Sequence, residues 1–121
     1  MLTAQDAARH LLKLKKAEDS FEGFIRLHNP KWKLPDFHKR LIGALDNLEK
    51  GIGPRNLLIT MPPRHGTSTF GSVFFPAYFI ARKPSRFIIS SSYNSQLATD
   101  FGHQVRDLVN DPLTLQPFPL P

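Results

Sequence analysis

The sequence predicts an α/β fold, with helices at the N-terminus followed by parallel strands joined through crossover helices. Three observations predict it. Residues 56–61, Asn-Leu-Leu-Ile-Thr-Met, form an apolar run of strand length, bounded in front by Gly51, Gly53 and Pro54 and behind by Pro62 and Pro63. Residues 86–92, Arg-Phe-Ile-Ile-Ser-Ser-Ser, form a second such run. Each is followed by a stretch with helical spacing, and strand–helix–strand–helix order with helices of this length implies parallel pairing through right-handed crossovers. The binding crevice of such a fold lies beyond the strand ends, which directs attention to residues 61–68 and 91–95.

Residues 3–20 read as an amphipathic helix, with Thr3 as its N-cap, Ala7, Ala8, Leu11, Leu12 and Leu14 on one side and Lys13, Lys15 and Lys16 elsewhere. Those lysines read as a solvated face rather than a site. Residues 21–34 mix a helical end with a loop, and Trp32 reads as a packed anchor rather than a base-stacking platform. From Pro35 a clean helix places Phe37, Leu41, Ile42, Leu45 and Leu48 at spacings of three and four and stops at Gly51. Residues 67–81, rich in aromatics, suit a helix packed on the sheet and kinked at Pro76. Residues 95–109 return to helical spacing through Leu97, Phe101, Val105, Leu108 and Val109. The tail from residue 112 ends in Pro117, Pro119 and Pro121, and the pattern predicts an extended end without helix or central strand. The implied organisation is a helical region over 1–34, a partial α/β domain over 35–111 and a proline-rich tail over 112–121.

At 121 residues with 40% hydrophobic content, the chain fits one small domain or part of one. Its +6 net charge is spread along its length, with eleven basic against seven acidic residues over 1–60 and five against three over 61–121. That surplus favours polyanionic partners without marking a patch. The chain has no cysteine, so disulfides, thiolate nucleophiles and cysteine-based metal sites are excluded. The five histidines contain no pair at i, i+4, which speaks against a protein metal site. No apolar run approaches the roughly 20 residues of a membrane span, and the chain is expected to be soluble and intracellular.

The sharpest feature is the segment after the first apolar run, Pro62-Pro63-Arg64-His65-Gly66-Thr67-Ser68, which leads into a helix. A phosphate-binding P-loop needs this order, because loop amides and the following helix N-terminus aim at the phosphates. Gly66 permits close approach and Ser68 stands where a hydroxyl would ligate Mg²⁺. Against the pattern G-x-x-x-x-G-K-[ST], Met61 replaces the first glycine and Thr67 the lysine. The other register, Gly66 to Gly71, is followed by Ser72 and Val73 and restores no lysine.

Residues 57–66, Leu-Leu-Ile-Thr-Met-Pro-Pro-Arg-His-Gly, with Ser68, resemble the Walker A segment of tailed-phage terminase large subunits. The resemblance continues through Phe75-Pro76-Ala77, Ser91-Ser92-Tyr93-Asn94, Leu97-Ala98, Phe101-Gly102 and Val105-Arg106, reaches back to His38, and covers roughly residues 21–111. It implies the N-terminal ATPase part of an ATP-driven motor that packages DNA into procapsids, in the cytoplasm of a bacterial host. It also implies a partial P-loop NTPase fold. ATP would lie on Pro62, Pro63, Arg64, His65, Gly66, Thr67 and Ser68, with Mg²⁺ on Ser68 through the nucleotide. His38 matches a position near the nucleotide base, and it reads equally as a histidine that caps or solvates its helix. The implied partners are double-stranded phage DNA, the small terminase subunit and the portal.

Thr67 supplies a hydroxyl where the family pattern has a full positive charge, and losing one such contact commonly costs about 3–4 kcal/mol in transition-state stabilisation. No apolar run ending in paired carboxylates occurs in the sequence, while Asp100, Asp107 and Asp111 read as helix solvation and capping. The expectation is therefore a truncated chain with weak or absent ATP and Mg²⁺ binding and no turnover by itself. The alternatives are a non-enzymatic nucleotide- or nucleic-acid-binding module, or an inactive prophage remnant. A half-domain with unpaired strand edges is also expected to self-associate.

Overall fold

A computed structural model describes residues 3–61 and 69–118 of the chain. In order it forms α1 (Ala4–Asp19), α2 (Phe21–His28), α3 (Asp36–Lys50), a π-helical turn (Thr69–Phe74) running into α4 (Phe75–Arg82), α5 (Ser95–Val109) and a single turn α6 (Pro112–Leu115). The described residues contain no strand and no sheet.

The two helices at the N-terminus are set by local chemistry. Thr3 closes a capping box with Asp6: its hydroxyl accepts the Asp6 N–H at 3.1 Å and the Asp6 carboxylate accepts the Thr3 N–H at 3.3 Å. Ser20 then serves both helices. Its N–H and hydroxyl donate to the Lys16 carbonyl that ends α1, and its Oγ accepts the Gly23 N–H in the first turn of α2. The two backbones meet so closely that a Cβ on Gly23 would lie 2.1 Å from the Lys16 oxygen. α1 buries only Ala17, near this end, whereas Leu11 and Leu12 stay exposed. The apolar side predicted for this helix is therefore not a core face.

α3 carries the predicted stripe, with Leu41, Ile42 and Leu45 buried, and ends at Gly51, whose φ of 73° lets the Ile52 N–H return to the Asn47 carbonyl at 2.8 Å. The predicted helix over 67–81 is present over its described residues but changes register. The ladder is π over Thr69–Phe74 and α from Phe75, a shift that falls just before Pro76, which has no N–H to give. α5 is capped by Asn94, whose side chain accepts the Leu97 N–H at 2.7 Å.

The core is aromatic. Phe21, Phe24 and Tyr78 are fully buried, with ring centroids 5.2 Å (Phe21–Tyr78) and 5.6 Å (Phe24–Tyr78) apart, and Phe74 closes on Phe24 edge-on at 6.3 Å. Residues from all three predicted stretches join this one cluster, including Phe118 from the tail. The tail is not extended over 112–115. Pro112 stands in the first turn of α6, where a missing N–H costs nothing, and Asp111 caps that turn by accepting the Leu113 N–H at 2.8 Å. The tail is tied down by Thr114 against His28 and Gln116 against His10, each at 2.8 Å.

The α/β expectation, and with it the partial P-loop NTPase fold of parallel strands and crossover helices, is corrected by this structure. Residues 56–61 and 86–92 do run without helix, and burial alternates only over 58–61 and 86–89. Ile59 and Met61 pack against the core while Leu58 is 90% exposed; Ile88 is half-buried while Phe87 and Ile89 are 94% and 96% exposed. A strand is made by its ladder, however, and a short parallel pair with one face uncovered does not stabilise itself in water. The apolar runs mark segments that lie on the helices, not a sheet between them. The crevice expected at strand ends lapses with the sheet.

Two outcomes test this packing. Gly23→Ala should lower unfolding free energy by about 1–3 kcal/mol in urea denaturation, because the α1–α2 contact has no room for a methyl; an unchanged midpoint would mean the helices do not meet there. Burial depresses the His28 pKa below its ordinary 6.5, with Asp111 opposing in part. A depressed folded-state pKa means that neutral His28 contributes stability above pH 6.5, and that this contribution is lost as pH falls through the folded value. The thermal midpoint should therefore drop more steeply between neutral pH and pH 5 for the wild type than for His28→Gln.

Candidate functional site

His38 sits in the first turn of α3, half-buried, with its ring edge-on to Phe37 at 4.3 Å and to Phe70 at 5.0 Å. Phe70 belongs to the π-helical turn that begins at Thr69, directly after the candidate phosphate loop. Between these elements lies a cleft of about 240 Å³, lined by Trp32, Lys33, Leu34, His38, Thr69 and Phe70. Trp32 is partly exposed and stands edge-on to Phe70 at 6.1 Å and to Phe74 at 5.8 Å. It is thus both the packed anchor read from sequence and one wall of the cleft.

The cleft offers the partly exposed ring of Trp32 and the half-buried imidazole of His38, backed by the buried Phe70, with one ammonium and one hydroxyl. Rings of this kind stack on a planar base through their π faces. A single lysine does not neutralise a triphosphate, and the volume is below the roughly 300–1,000 Å³ usual for a site that holds a whole small molecule. The cleft fits a base-sized group, with any phosphates lying toward residue 69. Pro62, Pro63, Arg64, His65, Gly66, Thr67 and Ser68, the candidate ATP and Mg²⁺ residues, lie outside the described residues.

The acidic side chains of the second half are placed as helix furniture. Asp100 accepts from Gln96 Nε2 at 2.9 Å, Asp107 pairs with Arg106 at 3.4 Å and Asp111 caps α6. Among the described residues no group of three or more histidines and carboxylates is gathered for a metal. Likewise no described helix is long and apolar enough to cross a membrane.

Sequence reading missed a polar seam between α3, α4 and the segment after it. Glu49 is buried, and its Oε1 lies 3.0 Å from Arg82 Nε and 2.9 Å from Arg86 Nη1. Tyr78 donates to Asp46 at 3.1 Å, and Lys50 donates to the other Asp46 oxygen at 2.9 Å. Burial, with Asp46 beside it, pushes the Tyr78 hydroxyl far above the usual phenol range. Arg82 also reaches the Glu18 carbonyl, and Lys50 that of Asp19, so the seam ties α1 to α3 and α4. These charges are spent on one another, and the seam is structural. The only advance signal was a pair of arginines, Arg82 and Arg86, at helical spacing, which reads as solvated charge.

The chain matches no protein-family model, no curated protein and no solved structure.

Proposed function

We propose that this chain is a nucleotide-loop segment of the kind found in the ATPase part of tailed-phage terminase large subunits, binding ATP and Mg²⁺ weakly and without turnover by itself. Residues 62–68 would hold the phosphates, with Ser68 toward Mg²⁺, and the cleft lined by Thr69 and Phe70 would hold the base. The observation that carries this reading is the placement of His38, Trp32 and Phe70 around one cleft at the residue where the candidate loop ends. His38 was matched to a base-proximal position on sequence grounds alone, and its cleft has the size and ring chemistry of a base site. The proposed setting follows the same resemblance: the cytoplasm of a bacterial host, with double-stranded phage DNA, a small terminase subunit and a portal as partners. Turnover is not proposed, because Thr67 brings no charge to the β/γ oxygens and no apolar run of the sequence ends in carboxylates that would polarise water.

A second reading, a non-enzymatic nucleic-acid-binding module, is favoured by a separate feature. Lys13 and Lys16 of α1 and Arg26 of α2 converge on a cleft of about 310 Å³ where the two helices meet. Arg26 is shared with Glu22 at 3.5 Å, so the net charge offered there is modest.

Calorimetry with ATP and Mg²⁺ on the chain and on Thr67→Lys tests the first reading. Binding should strengthen markedly with lysine. In that background Trp32→Ala should weaken ATP by roughly 5- to 100-fold, the worth of one lost base stack, and leave inorganic tripolyphosphate unchanged. No binding by folded Thr67→Lys protein would remove the nucleotide assignment, and equal weakening of both ligands would remove the base cleft.

A further inference from the structure

Residues 111–118 are tied to the body of the chain by two histidines. His28, the last residue of α2, shares a hydrogen bond of 2.8 Å with the hydroxyl of Thr114, and Thr114 is only 1% exposed. The His28 ring is half-buried, edge-on to Phe24 at 5.0 Å and to Phe74 at 6.2 Å. Phe118, four residues after Thr114, stands edge-on to Phe24 at 6.2 Å and to Tyr78 at 6.4 Å. Thr114 and two aromatic rings thus cover an imidazole that would need water once it carried a charge.

We propose that residues 111–118 form an acid-released latch, in which protonation of His28 undocks this segment from α2 while the helical core stays folded. Taking a charge out of water is costly unless an opposite charge meets it, and Thr114 offers a hydroxyl alone. Few groups bear on the charge of His28. Asp111, at the start of the segment, favours the imidazolium, as does the carbonyl end of α2. Arg26 on the same helix is exposed and paired with Glu22, the π-helical turn brings no titratable residue, and α4 brings Tyr78, whose hydroxyl is held by Asp46. Burial outweighs Asp111 and holds the His28 pKa below 6.5. A pKa lower in the docked form than in the released form means that acid favours release, by at most about tenfold in the ratio of released to docked chains for each pH unit.

The second tie does not share this sensitivity. His10 is exposed on α1, and its Nε2 donates to Gln116 Oε1 at 2.8 Å, a bond open to the imidazole and the imidazolium alike. The pH response therefore belongs to His28. Release can be local, because α6 is a single turn and Phe118 is only partly buried, whereas Phe21, Phe24 and Tyr78 pack on one another without the segment.

Hydrogen exchange of the whole chain over a pH series, with each rate divided into its intrinsic value, tests the latch. The amides of Leu115 and Phe118 donate to the Asp111 and Thr114 carbonyls at 3.0 Å, and they report whether the segment is docked. In the wild type their protection should fall by up to about tenfold per pH unit below pH 6.5, and at each pH stay well below that of Leu45 in α3. His28→Gln should abolish the pH dependence, and His10→Gln should lower protection while keeping it. Coupling is reciprocal, so Phe118→Ala, which loosens the segment without touching the imidazole, should raise the His28 pKa toward 6.5 in a proton NMR titration. Wild-type protection at Leu115 and Phe118 that ignores pH or merely equals that of Leu45, a His28→Gln chain that responds like the wild type, or an unmoved His28 titration in Phe118→Ala would each overturn the proposal.

Discussion

Tyr78 joins the two kinds of interaction that hold this chain together. Its ring is fully buried against Phe21 and Phe24, and its hydroxyl reaches out of that apolar cluster to the carboxylate of Asp46. Burial of large apolar side chains contributes about 1.5–3 kcal/mol each, but a buried hydroxyl without an acceptor gives back about 1–3 kcal/mol. The aromatic core is therefore stable in this arrangement only if α3 presents Asp46 at the right height on α4. Packing and polar satisfaction fix the same helix pair twice.

The rest of the seam follows from that pairing. Asp46 and Glu49 lie three residues apart on α3, so once Asp46 faces Tyr78, Glu49 faces the next turn of α4. Burying Glu49 as a carboxylate is costly unless cations meet it, and Arg82 and Arg86 do so from the end of α4 and the residue that opens the extended segment. The Arg86 guanidinium also lies over the Phe79 ring at 4.0 Å and donates to the Phe79 carbonyl. Arg86 is thus anchored on both sides, which sets the direction in which residues 87–90 leave α4.

What could be read from sequence divides along local and non-local chemistry. Thr3, Gly51 and the stripe of Leu41, Ile42 and Leu45 act within a few residues of themselves, and each is found as predicted. The runs at 56–61 and 86–92 read as apolar strands and form none, because whether such a segment becomes a strand depends on a partner that its own residues do not name. α6 was hidden by its prolines, since Pro112 is tolerated only because it falls in a first turn. The ties of His28 to Thr114 and of Glu49 to Arg86 span 86 and 37 residues and leave no periodic trace. Of the candidate site, His38 was singled out from sequence, whereas Trp32, Lys33 and Phe70 became part of it only through the cleft that gathers them.

The helix from Thr69 to Arg82 gives each of its sides to a different neighbour. Thr69 and Phe70 line the cleft at His38; Gly71, Phe75, Pro76 and Phe79 line a groove of about 610 Å³; Phe74, Ala77 and Tyr78 fill the core. The π turn makes this division workable, because a wider turn shifts the angular phase between the residues before Phe74 and those after it. Close packing on the core side leaves the helix little freedom to rotate alone. The cleft and the groove therefore lie on one continuous helix, whose far end meets Glu49 through Arg82. Gly71, two residues after Thr69, already belongs to the groove wall, so cleft and groove share one short stretch of backbone.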